Sequence, residues 1–475
     1  MGDEITQRYF DAEAFSRFRE LLDEETALLE QVFKDNTLSP RGDTAGFELE
    51  AWLVDEHGAP LPENETLLAR LDNALVVPEL ARFNIELNGS PSNLSGSVFS
   101  RLEDELAATW RACTNAARDM NARLVTIGTL PTAREDIFTS DNMSGMVRYH
   151  SLNDRVMALR DGRHLDIHIE GEEPLELTHD DVMLEAAATS FQIHLQCRPE
   201  RAVRDFNASL IASAPMAAVA ANAPLLFGHL LWDESRIPLF EQSVDIGELY
   251  SKRVGFGTGY AQNSLFEIFA ENQRAHPILI PMVHPDAPPS KFSHVRFHNG
   301  TVWRWNRPLI GFDFDGQVHL RIEHRVTSAG PTVRDSISNA AFYFGLVRGL
   351  GLEPVAPEAH LPFEDARDNF YKAAQYGLNA QVVWPIDGQL ATMGLRQLIV
   401  EQLVPLARRG LASCEIPAAE IDTYIGTIAE RADSSQNGAA WQRRWLALNG
   451  GSLEELVLSY ESLQETGEPV HTWPL

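Results

Sequence analysis

GFELEAWLVDEHG, residues 46–58, alternates in character along its first half. Phe47, Leu49, Ala51 and Leu53 fall on one side of an extended chain, and Glu48 and Glu50 on the other, because successive strand side chains point to opposite faces. A lone Glu on the polar face of a strand is ordinarily just solvated. Two neighbours on one face repel each other unless a cation lies between them. The stretch predicts a strand with one face for a core and one face for chemistry.

The pattern recurs outward from this segment. FNIELN (83–88) sets Phe83, Ile85 and Leu87 against Asn84, Glu86 and Asn88. SFQIHLQC (190–197) sets Phe191, Ile193 and Leu195 against Gln192, His194 and Gln196. VHLRIEHRV (318–326) places Arg321, Glu323 and Arg325 on one face, with Leu320, Ile322 and Val326 mainly on the other. Helical periodicity occupies about 8–34, 99–124, 203–226 and 332–350, the last entered beside Pro331. Parallel strands covered on both sides read as continuous apolar runs, which these do not. The expected fold is therefore α+β: a largely antiparallel curved sheet with an open polar catalytic face and helices packed on the other side. From about residue 363 the chain reads as mostly helical, and a Gly450-Gly451 break precedes a last helix near 453–464. No repeat or long linker divides it, so a single catalytic domain over residues 1–475 is expected.

The net charge of −29 argues against a nucleic-acid partner and against an anionic membrane surface. No window approaches the roughly 18 apolar residues of a membrane helix, and MGDEITQRYF lacks a basic segment followed by an apolar one. Cys113, Cys197 and Cys414 are far apart and form no metal-type pair, which fits a reducing compartment. A cytoplasmic protein acting on small molecules is the expectation.

If the sheet brings its strands together, Glu48, Glu50, Glu86, Glu323 and His194 converge on one surface. Oxygen-rich ligation points to Mg²⁺, or to Mn²⁺ given the histidine, rather than to zinc. Such cations opposite arginines are what phosphoryl transfer needs. A chain this acidic must reverse its field locally to hold a phosphate-bearing substrate. The candidate arginines are Arg325, on the same face as Glu323, and Arg304 and Arg307 in TVWRWNRP (301–308). Arg325 is equally suited to a structural ion pair with a neighbouring Glu, and Trp303 and Trp305 to the core.

These segments resemble the glutamate–cysteine ligase and carboxylate–amine ligase family of the glutamine synthetase-like superfamily. GFELEAWLVD resembles its opening Gly-x-Glu-x-Glu strand, FNIELNGSP its second acidic strand and FQIHLQ its His-bearing strand. RIEHRVTSAGPTVRD (321–335) is similar to its late strand and following helix, and KAAQYGLNA (372–380) to a short C-terminal signature of a bacterial branch. The matches run in the family's order from about residue 45 to 385. The resemblance implies ATP-driven formation of a γ-glutamyl amide through an acyl phosphate, with cysteine as the default amine and glutathione biosynthesis as its setting. It implies metal binding by Glu48, Glu50, Glu86, His194 and Glu323, and phosphoryl stabilisation by Arg325. Arg148 and Tyr149 in MVRYHSLN (146–153), with Asn88 and Arg236, are the implied substrate-binding residues. Ala51, where the bacterial branch often has a third acid, and Asn88-Gly89-Ser90 depart from pattern near the amine's surroundings.

Other signals carry less. GFGTG (255–259) lacks the Lys-Ser/Thr of a P-loop. The His164/His168 and His294/His298 pairs lack an HExxH context, and no serine sits in a G-x-S-x-G elbow. Besides the ligase with cysteine, three readings stay open: the same activation with another amine, a guanidino-type phosphotransferase, and a binding protein on the same fold.

Overall fold

The computed structural model describes residues 5, 7–386 and 388–475. One eight-stranded sheet organises them. Its strands are β1 (Thr44–Val54), β2 (Val76–Pro78), β3 (Asn84–Asn88), β4 (Ser92–Asn93), β5 (Arg123–Val125), β6 (Phe191–Cys197), β7 (Asn306–Phe312) and β8 (Val318–His324). They run in the order β7-β8-β6-β1-β3-β2, with β4 and β5 paired to the two ends of β1. All its strand pairs are antiparallel. The alternating segments of the sequence are thus the central strands of a curled, largely antiparallel sheet, as expected.

Eight helices matter for the site: α1 (Ala12–Lys34), α2 (Val98–Arg118), α3 (Val147–Leu159), α4 (Ala202–Ala220), α5 (Arg236–Ser243), α6 (Ser293–Gly300), α7 (Val333–Leu352) and α8 (Val404–Ser413). The apolar residues of the alternation, among them Phe47, Leu49, Ala51, Ile85, Leu87, Ile193, Leu195 and Ile322, are buried in one core. That core also takes in Phe99 and Leu102 of α2, Leu210 and Ile211 of α4, and Phe342 and Leu346 of α7. Burying each large aliphatic side chain contributes about 1.5–3 kcal/mol, so the parity of these strands is strongly specified. Behind them α7 crosses α8 with backbone against backbone. A Cβ on Gly410 would lie 2.1 Å from the Gly345 carbonyl oxygen, and one on Gly345 would lie 2.7 Å from that of Ala407.

The polar face is a second interior rather than a wet surface. Past the acids, Trp52 and Val54 continue the same face into a separate apolar cluster with Val125, Ile127 and Phe138. Phe83, expected beside Ile85 and Leu87, belongs there instead: it precedes the first residue of β3 and stacks on Trp52 at 5.6 Å. Over the acids, α3, α5, α6 and the turn Val182–Ala187 form a roof that leaves a cavity of about 250 Å³. The helical C-terminal region carries a hairpin, Gln381–Ile386 with Gln389–Gly394. No described helix is long and apolar enough to cross a membrane.

Candidate active site

Strand register assembles the acids. Across the β1–β3 ladder Glu50 faces Glu86 and Glu48 faces Asn88. Across β1–β6 Glu48 faces Gln192. Across β6–β8 His194 faces Glu323, and across β7–β8 Glu323 faces Arg307. Residues from nearly 280 positions of chain therefore meet on one floor, and Glu48, Glu50, Glu86, Glu323, Arg307, Arg321 and Arg325 all line the cavity.

The floor resolves into two groups of three ligand-type side chains, Glu48–His194–Glu323 and Glu50–Glu79–Glu86, with the ligand atoms of each within 4.8 Å of one another. Glu50 accepts from the Ser190 amide at 2.7 Å, the Ser190 hydroxyl at 2.8 Å and Gln192 Nε2 at 3.0 Å. Glu86 accepts from Asn88 Nδ2 at 2.9 Å. Glu323 receives a bidentate Arg307, both contacts at 2.9 Å, and Arg325 Nη1 at 3.1 Å. Arg325 also donates to Gln192 Oε1. His194 Nε2 lies 3.5 Å from Glu48 and 3.8 Å from Glu323, and makes no hydrogen bond with any described residue.

Electrostatics separates the two groups. Burial drives the Glu50 carboxyl up to about 7, with Glu79 adding to it and Ser190 and Arg325 opposing. Burial, then the charges of Glu48 and Glu79, hold Glu86 well above the ordinary range. Glu323 is also deeply buried, yet Arg307 and Arg325 keep it well below that range. Burial brings His194 down to about 4, leaving a neutral ring whose lone pair can face a ligand. The donor set therefore fits divalent cations that prefer oxygen: carboxylates dominate, a neutral imidazole nitrogen is buried without a hydrogen-bond partner, and Glu50 and Glu86 face each other with no ion pair of their own among the described residues.

The remaining expected residues divide. Arg148 and Tyr149 of α3 line the cavity, with Arg148 Nη2 donating to the Tyr149 hydroxyl at 2.9 Å. Asn88 reaches the site through Glu86. Arg236 is buried at the start of α5, donating to the carbonyl oxygen of Arg325 at 3.4 Å and to that of Val326, beside a recess shared with Glu50 and Arg325. The structure does not bring Arg304 to the acids: it is buried elsewhere, paired with Glu271 at 2.9 Å and donating to Asn272 Oδ1 at 2.7 Å. Trp303 faces the cavity, whereas Trp305 is wholly buried and donates to Glu241 at 2.8 Å.

Two further acids, Glu79 and Glu185, line the cavity. Glu79 sits one residue past β2, on the same face as Val77, which pairs with Glu86. Extending the period of two beyond Pro78 would have found it. Glu185 lies on the short turn Val182–Ala187, where no periodicity marks it, and burial followed by Glu79 and Glu50 pushes it up to about 8. Arg321 shares the face of β8 that carries Glu323. It lines the cavity too.

Known proteins give this arrangement a context. Residues 44–461 match the model of glutamate–cysteine ligase family 2. No curated protein matches in sequence. Among solved structures, the glutamate–cysteine ligase of Francisella tularensis in complex with AMP superposes with a TM-score of 0.56 at 10% identity, covering 92% of this chain and 90% of that one. A bifunctional glutathione synthetase from Pasteurella multocida gives 0.46 at 9% identity, over 94% of this chain and 55% of that one.

Proposed function

This chain belongs to glutamate–cysteine ligase family 2 and is an ATP-dependent ligase of the glutamate–cysteine type; on that premise we propose that it joins glutamate to an amine, cysteine by default, through an acyl phosphate. The observation that carries the reading is the single floor on which two carboxylate groups adjoin Arg307 and Arg325, both bound to Glu323.

Glu48, His194 and Glu323 would hold one Mg²⁺ or Mn²⁺, and Glu50, Glu79 and Glu86 another; bound there, such ions supply charge neutralisation for phosphate oxygens. Arg325 presents a guanidinium to the transferred phosphoryl group, and Arg307 keeps Glu323 ionised and oriented. An oxygen of the glutamate side-chain carboxylate attacks the γ-phosphorus, the bond to the ADP oxygen breaks, and an acyl phosphate results. The amine nitrogen then attacks the acyl carbon, loses its proton, and expels phosphate as the amide forms. Arg148, Tyr149, Asn88 and Arg236 shape the pocket around the two organic substrates. The roof partly shields the acyl phosphate from water, which would otherwise hydrolyse it.

A second reading keeps the activation and changes the amine. Phe240, Trp303 and Tyr149 give the cavity an aromatic wall, which favours an acceptor with an apolar body. We assign the whole chain to one catalytic unit. Its three unpaired cysteines fit a cytoplasmic setting.

The test is incubation with ATP, Mg²⁺ and glutamate, adding amines one at a time and following free phosphate and product mass. Amine-dependent phosphate release with a γ-glutamyl product is expected. Transfer of phosphate to a guanidine, or no product with any amine, refutes the ligase reading.

A further inference from the structure

Glu185 stands out among the cavity's acids by its lack of a close partner; Arg325 offsets its charge only at longer range. Glu323 has two arginines, Glu50 has Ser190 and Gln192, and Glu86 has Asn88. The Glu185 carboxylate makes no hydrogen bond and no ion pair with any described residue, although it lines both the main cavity and the adjoining recess. The recess also contains Ser190, Arg236, Phe240 and Arg325. Both of these arginines are already engaged, Arg325 by Glu323 and Gln192 and Arg236 by backbone carbonyl oxygens.

The turn that carries Glu185 is held in place, while its side chain is only partly buried. Its turn is fixed at the start by Asp181, which accepts from the Met183 amide at 2.9 Å, and Val182, Met183 and Leu184 around it are buried. It belongs to neither group of three ligand-type side chains. With Glu50, Glu79 and Glu86 close by, and with Arg325 and Arg236 committed to Glu323 and Glu234, one divalent cation does not use up the acceptor oxygens at this end of the cavity. A group carrying a single positive charge on a small head, with N–H donors for an acceptor-only carboxylate, fits what is left. Both organic substrates of the proposed reaction bring such a head.

We propose that Glu185 binds a primary ammonium group of a substrate and so selects amino acids over acids that lack the amine. This rests on the ligase reading above. The ammonium has two sources in that reaction: the α-amino group of the glutamate being activated, and the nitrogen of the incoming acceptor.

The experiment compares wild type with Glu185→Gln, which keeps the shape and removes the charge. KM is measured for glutamate and for the acceptor separately. In parallel, thermal shifts are recorded with glutamate and with glutarate, its analogue without the amine, in Mg²⁺ and ADP. Loss of a charge-assisted contact predicts roughly a tenfold or greater rise in one KM. A rise in the glutamate KM, with loss of the wild-type preference for glutamate over glutarate, assigns the α-amino group. A rise confined to the acceptor KM assigns the acceptor nitrogen. Both KM values within about twofold of wild type and an unchanged glutamate-to-glutarate preference overturn the proposal. A wild type that forms no γ-glutamyl product refutes the ligase reading instead. In that case the thermal shifts still decide: a shift that requires the amine and disappears in Glu185→Gln upholds ammonium binding, and no amine-dependent shift in wild type ends it.

Discussion

Glu50 and Glu86 stand opposite each other across the β1–β3 ladder, both buried and both with raised carboxyl pKa values. Like charges directly opposite on a sheet destabilise it by about 0.2–1 kcal/mol even where solvent screens them. Glu86→Gln removes the cost of burying a carboxyl that stays protonated in the metal-free fold and ionises in the unfolded chain. In a chelator it should unfold at a higher temperature than wild type. On adding Mg²⁺ the order should reverse, because only wild type keeps all three carboxylates. A chelated Glu86→Gln that melts below wild type contradicts the metal reading of this pair.

Arg325 lies at the junction of Glu323 and Gln192, facing the cavity. Arg325→Ala should lower kcat by about a hundredfold or more, roughly 3 kcal/mol of transition-state stabilisation, while ATP binding measured by calorimetry changes far less. A loss smaller than about tenfold would count against a role in phosphoryl transfer.

Arg304 makes a different prediction. Its guanidinium is buried against Glu271 and Asn272, and removing one partner of a buried pair typically destabilises by about 3–5 kcal/mol. Arg304→Ala should lower the melting temperature by several degrees and leave the KM for ATP within about twofold. A large KM effect in a variant of unchanged stability would restore it to the nucleotide site.

Glu234 supplies a pH signature away from the acidic floor. It is fully buried, accepting from the Asn222 amide at 2.7 Å and from the Ser328 hydroxyl, with Arg236 Nε 3.5 Å away. Burial outweighs these partners and pushes its carboxyl up to about 7, from an ordinary 4.5. Between those values the unfolded chain has released its proton and the folded one keeps it, so stability falls as pH rises through the window. Glu234→Gln has no proton to lose. Measured against it, wild type should lose on the order of 3 kcal/mol between pH 4.5 and 7.5. Parallel melting curves for the two proteins across that range would refute the assignment.

The central strands were legible because both of their faces have work to do. An apolar residue at every second position of 47–53, 191–195 and 320–322 leaves little freedom of register, and the intervening acids are carried along with it. The same rule separates Arg304 from Arg307. Residues 304 and 307 have opposite parity, so they cannot share the face of an extended strand, and only Arg307 reaches the cavity. Glu79 and Glu185 were hidden by brevity: one follows a strand of three residues, the other sits on a turn of six. The roof was invisible for a different reason. Alternation reports that a face is polar, and the wall of a partly roofed cavity is as polar as an open surface.

The Gly345–Gly410 crossing has a bearing on how the chain can be shortened. A protein ending before residue 404 would keep every acid, arginine and histidine of the floor. It would also uncover the flank of α7 on which Gly345 and Gly349 meet Ala407 and Leu406, and α7 carries Phe342 and Leu346 into the core beneath β1 and β6. Trimming the tail is thus an operation on the foundation of the catalytic floor, and a truncated protein that bound no nucleotide would report a collapsed support rather than a missing ligand contact.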